Sequence, residues 1–379
     1  MRTIASSRRC RTRPTEHSIL GLSLVKRTKA AGDNRGNGTA ENRKPNITIA
    51  DLAAHLKLTK GTISAVLNNS PYSKSIPQHT KDRILAAAAE LNYQPNFLAR
   101  SLRQKRSYSI GVVAEEIGDP YSSVIISGIE SVLSRMKYIF LTVAHRHDPN
   151  LLQQYFDILR TRGVEGIIAI DTRIESSPEL PLVAVPGYSK FDGVHNIVLN
   201  HRTAAKVALE HLVGHGHRRI AILRGQILSS DSAERWHSIQ KVAQEMSIKI
   251  DQDLVVQLSG DHASPQPGFE AIHELQARHA KYTAVFAYND MAAIGAIQAL
   301  KKFGLQVPSD VSVVGFDDVR EATFYSPSLT TVRQPLRKMG ETAAETLVGR
   351  IEGKTDLPAH VEVEPEFVIR QSTGAARSL

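Results

Sequence analysis

Apolar residues along this chain repeat with two different periods, and the change of period divides it. From residue 48 to 93 the spacing is helical. Ile49, Leu52, Ala53 and Leu56 fall on one face of a short helix. Thr48 precedes it as a plausible N-cap, with Asp51 in the first turn. Leu58 breaks the phase. Thr59 then starts a second helix with a buried stripe of Ile63, Val66 and Leu67. Two short helices joined by three or four residues make either a plain helical hairpin or a helix-turn-helix unit. A third helix is predicted over 75–93, with Pro77 in its first turn and Ile84, Leu85, Ala88 and Leu91 on its apolar face.

From Ser109 onward, continuous apolar runs alternate with amphipathic stretches. The runs at 110–114, 138–143, 166–170, 182–185, 220–223, 284–287 and 311–316 read as fully buried strands. Helices are predicted between them at 121–137, 151–162, 202–215, 232–246, 268–279 and 291–303. This alternation argues for doubly wound parallel sheets, and the length suffices for two such lobes.

The formal net charge of +9 over 379 residues makes a polyanionic partner such as nucleic acid reasonable. A single cysteine, Cys10, forbids an internal disulfide framework and suits a reducing cytoplasm. No apolar run reaches the roughly 18–20 residues of a membrane span. Residues 1–45 carry about eleven Lys and Arg against three carboxylates, without periodicity, and read as a disordered basic arm. Three origins stay open for it: an arm that adds nonspecific DNA affinity, a start codon placed too early, or a processed leader. Its apolar stretch at 18–25 is short for a signal peptide, and Lys26-Arg27 follows where small residues are expected.

If the first two helices are a helix-turn-helix unit, the second lies in the DNA major groove. Its outward positions are then Lys60, Gly61, Ser64, Ala65 and Asn68. Lys60 suits phosphate or a guanine edge, while Ser64 and Asn68 can hydrogen-bond bases or backbone. The segment 48–107 carries TIADLA, TISAVLN, LNYQPN and ARSLR in that order. It resembles the headpiece and hinge of the LacI-type transcription repressors. The blocks IGVVAEEIGDPY, VEGIIAI, EHLVGHGHRRIAIL, FAYNDMAAIGAI, VSVVGFDD and SLTTVRQP extend the resemblance to about residue 372.

The resemblance implies an all-α headpiece over 46–95 and a hinge over 96–107. An α/β two-lobed domain like the periplasmic sugar-binding proteins follows over 108–372, with a tail at 373–379. Its N-terminal lobe would comprise 108–199 and 333–363, and its C-terminal lobe 200–332. The resemblance places Thr48, Thr59, Lys60, Gly61, Thr62, Ser64, Ala65 and Asn68 on DNA. It adds Asn96, Arg100, Leu102 and Arg103 from the hinge, with Leu102 as the wedge that enters the minor groove. Such a wedge costs a few kcal/mol of unstacking and gains contacts from the bend. Arg100, Arg103, Lys105 and Arg106 would meet phosphate.

Two departures stand out. Lys57 occupies a tight turn where the family has glycine, so a changed turn is expected. Ala65 replaces a frequent arginine of the reading helix, so a different base preference is expected.

In α/β sheets, ligands bind beyond the carboxyl ends of strands. Asp119, Asn289 and Asp317 stand at such ends. By motif position Arg235 is the ligand-contacting arginine, with Asn289 and Asp317 as its partners and Asp119 and Tyr121 as weaker candidates. Their donors and acceptors suit a sugar, a polyol or a small acid. Strand-end capping or an interlobe ion pair would explain the same residues. Pro186 stands where sugar-binding members often have a carboxylate.

His211, His215 and His217 form H-x3-H-x-H, but a histidine-rich helix C-terminus explains them without a metal. No P-loop, nucleophile elbow or H-E-x-x-H motif is present. The expectation is a non-enzymatic, cytoplasmic dimer that binds a palindromic operator and a small effector, without cofactor. A transport binding protein or an enzyme on the same scaffold is the alternative.

Overall fold

The computed structural model describes residues 47–93, 101, 106–176 and 179–378. The chain divides after Pro95 into two compact units.

The first unit holds α1 (Ile49–Leu56), α2 (Lys60–Leu67), a 3-10 turn (Pro71–Ser75) and α3 (Gln78–Glu90). Its small core is Leu52, Ala53, Leu56, Ile63, Ile84 and Ala87. The third helix begins later than the sequence suggests, because the 3-10 turn and extended Ile76 come first and Pro77 serves as N-cap. Ile84, Ala88 and Leu91 face the core as the spacing suggests, and Leu85 is the exception. Ala87 is buried and Leu85 is 52% exposed, so Leu85 does not belong to the apolar face. Lys57 caps α1 at φ 54. The turn therefore keeps the left-handed geometry, and lysine carries the roughly 1–2 kcal/mol of strain that glycine would avoid.

The second unit contains two parallel sheets. The first has the order β11-β5-β4-β3-β1-β2, from β1 (Ser109–Ala114), β2 (Ile139–Ala144), β3 (Gly166–Ile170), β4 (Leu182–Val185), β5 (Val194–Leu199) and β11 (His360–Val363). The second has the order β12-β10-β9-β8-β6-β7, from β6 (Ile220–Arg224), β7 (Val255–Gln257), β8 (Ala284–Ala287), β9 (Ser312–Asp317), β10 (Thr330–Arg333) and β12 (Glu366–Val368). Only β12 runs antiparallel, against β10. The chain crosses between the sheets three times: after β5, after β10 and after β11. The sheets define an N-lobe and a C-lobe.

Helices α4 (Pro120–Arg135), α5 (Pro149–Thr161) and α11 (Leu336–Ile351) serve the N-lobe. The C-lobe has α6 (His201–Gly214), α7 (Ser232–Glu245), α8 (Gln266–Ala277), α9 (Asp290–Lys302) and the short α10 (Arg320–Phe324). Each lobe contains one helix pair in backbone contact. A Cβ at Gly128 would lie 2.1 Å from the Arg337 carbonyl oxygen, and one at Gly340 2.1 Å from that of Ile125. In the C-lobe, a Cβ at Gly268 would lie 1.9 Å from the Ala292 oxygen, and one at Gly295 1.8 Å from the Pro265 oxygen. Only glycine permits these approaches.

The last described residues return to the C-lobe. The Ser372 hydroxyl donates to the Val313 carbonyl at 2.6 Å, and Arg377 pairs with Asp310 at 2.6 Å. The stretch from 373 onward is therefore packed at its described residues. Among those residues, no helix is long and apolar enough to cross a membrane.

Candidate functional site

The first unit offers one exposed helix end. Thr48 forms a capping box with Asp51: its hydroxyl accepts from the Asp51 amide, and the Asp51 carboxylate accepts from the Thr48 amide at 2.8 Å. These bonds hold the exposed Asp51 carboxyl below its ordinary range. Thr59 caps α2 by accepting from the Thr62 amide at 3.1 Å, and the two hydroxyls lie 2.9 Å apart. Thr59, Lys60 and Gly61 are exposed, while Thr62, Ser64 and Asn68 are half-buried. The Asn68 side-chain amide donates to the Ser64 carbonyl at 2.8 Å and to its hydroxyl at 3.2 Å.

Ala65 corrects the sequence reading. It is 7% exposed, so it is not on the outward face. An i+4 step from Gly61 suggests the outward face, but Ile63 and Ala65 both turn inward here. Arg106 is a second correction. Its guanidinium pairs with Glu165 at 2.8 Å, bonds the Tyr138 hydroxyl and lies over the Tyr108 ring, so it is engaged by protein rather than left for phosphate. Asn96, Arg100, Leu102, Arg103 and Lys105 lie outside the described residues.

In the second unit, both sheets have the order 2-1-3-4-5 along their first five strands. Ligands favour the switch point outside the carboxyl ends of the two central strands. In the N-lobe that point lies between β1 and β3, and in the C-lobe between β6 and β8. Beside these strand ends lies a narrow cleft lined by Tyr121, Asp171, Asp231, Arg235, His262, Tyr288, Asn289 and Asp317.

Arg235 lies on the floor of the cleft. It is 4% exposed, pairs with Asp231 at 2.5 Å and donates to the Tyr288 carbonyl at 2.5 Å. Its guanidinium carbon is 3.7 Å from the Phe316 ring centroid and 4.3 Å from that of Tyr288. Burial favours its neutral form, but Asp231 outweighs burial and raises its pKa. Burial likewise pushes Asp231 up, while Arg235 and then His201 hold it well below the carboxylate range. The Tyr288 hydroxyl donates to Asp231 at 2.6 Å.

Asp317 sits at φ 111 and accepts from the Gln334 amide at 2.7 Å. Burial raises its pKa well above the ordinary value, and nearby Arg235 only partly opposes this. Asn289 caps α9: its oxygen accepts from the Ala292 amide at 2.8 Å, and its nitrogen donates to the His262 carbonyl at 3.0 Å. Asp119 caps α4 by accepting from the Ser122 amide at 2.9 Å, with its other oxygen buried and unpartnered. The Tyr121 hydroxyl is buried in the cleft without a partner. The structure therefore gathers Tyr121, Arg235, Asn289 and Asp317 on one cleft, while Asp119 caps its helix with one oxygen and does not line the cleft.

Sequence reasoning missed Asp171 and Asp231. Asp171 follows β3 directly, so the strand-end rule that selected Asp119 could have found it. Its carboxylate accepts from the Ser230 amide at 2.7 Å and the Ser229 hydroxyl at 3.1 Å, joining the two lobes. Burial, and then Asp231, push its pKa up. Asp231 stands four residues before Arg235, the spacing of a helical ion pair. Glu115, at the end of β1, was missed as well. It lies 2.5 Å from His147 and 2.9 Å from His262. Burial would raise Glu115, but His147 and His262 bring it down to about 2. Burial would lower His262, but Glu115 brings it up to about 9.

The histidines of the H-x3-H-x-H run have separate partners. His217 is buried between the Thr283 and Ser312 hydroxyls at 2.9 and 3.0 Å. The His211 ring meets the Thr373 hydroxyl at 2.9 Å, and the His215 ring meets the His211 carbonyl at 2.8 Å.

Comparison with known proteins supports both units. Residues 48–96 match the lacI family of bacterial regulatory proteins, and residues 209–373 match a periplasmic binding protein-like domain. The HTH-type transcriptional repressor PurR of Yersinia pestis bv. Antiqua is 31% identical over 334 residues, covering 86% of this chain and 96% of that protein. PurR of Yersinia pseudotuberculosis serotype O:1b matches to the same extent. Among solved structures, the lac repressor dimer bound to operator and the anti-inducer ONPF superposes with a TM-score of 0.77 at 26% identity, over 87% of this chain and all of that one. The transcriptional regulator CelR in complex with cellobiose superposes with a TM-score of 0.64 at 26% identity, over 86% of this chain and all of that one. The chain belongs to the lacI family of bacterial regulatory proteins and is a DNA-binding transcription regulator rather than an enzyme.

Proposed function

We propose that this regulator is a repressor that acts in the cytoplasm as a dimer on a palindromic operator, and that a neutral, hydroxyl-rich small molecule in the interlobe cleft tunes its grip. The lac repressor structure, a dimer on operator, supports the first part. So does the exposure of Ile139 and Leu141 on the edge strand β2, which a partner subunit would cover. In this reading the headpiece spans 46–95 and the hinge 96–107. Lys60, Gly61, Thr62, Ser64 and Asn68 approach base edges and phosphates, Thr48 and Thr59 position the two helices, and Leu102 wedges between base pairs with Asn96, Arg100 and Arg103 beside it. Removing Leu102 should weaken specific binding more than nonspecific binding.

One observation carries the effector assignment: the cleft holds more acceptors than free cations. Asp171, Asp231 and Asp317 line it, and the guanidinium of Arg235 is already engaged by Asp231. An anionic ligand would find both cationic side chains of the lining already paired, Arg235 with Asp231 and His262 with Glu115. Hydroxyl groups, in contrast, can donate to Asp171 and Asp317 and accept from the orphaned Tyr121 hydroxyl. Tyr288 and Phe316 supply apolar ring surface near Arg235. This favours a sugar or polyol over a small acid, even though Pro186 removes one acceptor that sugar-binding members often carry. CelR in complex with cellobiose shows a relative of this fold holding a sugar.

A thermal-shift screen of sugars, polyols and small acids tests the assignment, because a ligand that binds only the folded state raises its melting temperature. A neutral polyhydroxyl compound should raise Tm in the native chain and fail to do so in Asp171→Asn. A response confined to organic acids would overturn the reading.

A further inference from the structure

The network around Glu115 does something the effector reading does not require. Glu115 belongs to the N-lobe, at the end of β1. His147 belongs to the same lobe, in the loop between β2 and α5. His262 comes from the C-lobe, between β7 and α8. One donor atom from each of the three lies within 4.8 Å of the others.

We infer that Glu115, His147 and His262 form a binding site for a divalent cation of the zinc class, which ties the two lobes together at the rim of the cleft.

Three observations carry this. The first is the donor set. Two imidazoles and a carboxylate suit zinc and its late first-row neighbours, and three protein ligands leave one position open. The second is an imperfect fit without a cation. Glu115 Oε2 and His262 Nδ1 are 2.9 Å apart, yet both are buried and neither has an aligned hydrogen bond. The Glu115 and His262 side chains are about nine-tenths buried, so water offers little alternative. A tetrahedral ion with bonds of about 2.1 Å holds its donors about 3.4 Å apart. His147 and His262 meet different Glu115 oxygens, at 2.5 and 2.9 Å, and the three donors fit within 4.8 Å, so side-chain rotation alone can bring one carboxylate oxygen and both rings to that shape.

The third observation is the support around the ligands. The His145 ring accepts from the His147 amide at 3.2 Å and meets the Thr172 hydroxyl at 2.9 Å, which fixes the loop that presents His147. The Asn289 amide holds the His262 carbonyl at 3.0 Å. Ligand-orienting contacts of this kind are a normal part of metal sites. An open cavity beside His145 and His147 offers an entry path. His262 also lines the effector cleft, so the open coordination position could take water or a hydroxyl of a bound ligand.

The alternative is a plain ion-paired latch. The rival metal site is His211 and His215, whose rings are 4.4 Å apart. Both are separated from the proposal by experiment, without effector or DNA. The full chain, free of any tag and stripped with chelator, is titrated with Co²⁺ and read by visible absorption. Bound Zn²⁺ is counted after dialysis. The expected result is one equivalent of metal per chain and a d–d band. His147→Ala in one lobe and His262→Ala in the other should each weaken binding by about tenfold or more, with His211→Ala unchanged. His147 is the more exposed ligand, so its variant reports even where His262→Ala disturbs folding. Absence of stoichiometric binding, survival of binding in His147→Ala, or loss of binding in His211→Ala would each overturn the site.

Discussion

The two lobes share a strand order and a glycine-mediated helix pair, but they present different faces to the cleft. On the C-lobe side, the charge of Arg235 is satisfied within the lobe: it pairs with Asp231, and Tyr288 closes the network. On the N-lobe side, Asp171 finds its partners at Ser229 and Ser230, and Glu115 meets His262, all in the other lobe. One face is organised before closure and the other is completed by it. A low-dielectric site makes unpaired polar groups expensive. The N-lobe acids therefore make the closed form depend on what lies between the lobes.

The largest effect should come from breaking the C-lobe network. Arg235→Ala leaves Asp231 buried without its cation, and losing one partner of a buried pair costs about 3–5 kcal/mol. Denaturant unfolding should show that loss in the absence of any ligand. A change below about 1 kcal/mol would mean that the pair is not organised before closure.

Next in size are the shared helix contacts. Gly295→Ala and Gly340→Ala each force a Cβ into a backbone carbonyl, and overpacking of this kind costs about 1–3 kcal/mol or more. Comparable losses of Tm in both variants would support equivalent architecture in the two lobes. Tolerance of one of them would show that its lobe can repack.

A smaller effect belongs to Asp171→Ala. It removes an interlobe acceptor rather than an internal partner. The expected outcome is a modest stability change of about 1 kcal/mol, an amount typical of a hydrogen bond, together with faster amide exchange at Ser230. Unchanged exchange there would show that Asp171 does not hold the lobes.

The last prediction concerns pH. Burial brings Asp290 up to about 7 from an ordinary 3.8, although it accepts from the Thr331 hydroxyl and the Val319 amide. A raised carboxyl favours the fold in its protonated form. Its contribution is thus complete below about pH 4 and is lost as pH rises through about 7. Asp290→Asn should flatten the stability profile of the two-lobed unit across that window. An identical slope in the variant would remove Asp290 as the cause.

Much of the fold could be read from the sequence because its strands are buried on both faces and its helices are long. The runs at 166–170, 182–185 and 284–287 match the observed strands residue for residue. The strands β7 and β12 have three residues each and were not distinguishable from loops. In the headpiece, the capping signals of Thr48 and Thr59 located both helices. The face of α3 was legible at Ile84, Ala88 and Leu91 but not at Leu85, since neighbouring alanines such as Ala87 carry as little apolar signal inside as outside. The cleft was only partly legible. A single strand end nominates a residue, but partnership across lobes depends on tertiary distance, which is why His262 and Asp171 went unseen. Lys57 shows the opposite case: substitution of glycine suggested a new turn, yet the helix-capping bonds from its amide to Ala53 and Ala54 hold lysine in the left-handed one.

Duplexes selected from a random pool by the full chain give the most direct test of the central claim that cleft occupancy governs DNA reading. The selected duplex and a scrambled control are titrated at one near-physiological salt concentration, with and without the compound that raises Tm. The account predicts an enriched inverted repeat, bound about 10³-fold or more tightly than the control, and a ratio that shifts when the compound is added. Equal affinity for both duplexes, or a ratio that the compound leaves unmoved, would contradict it.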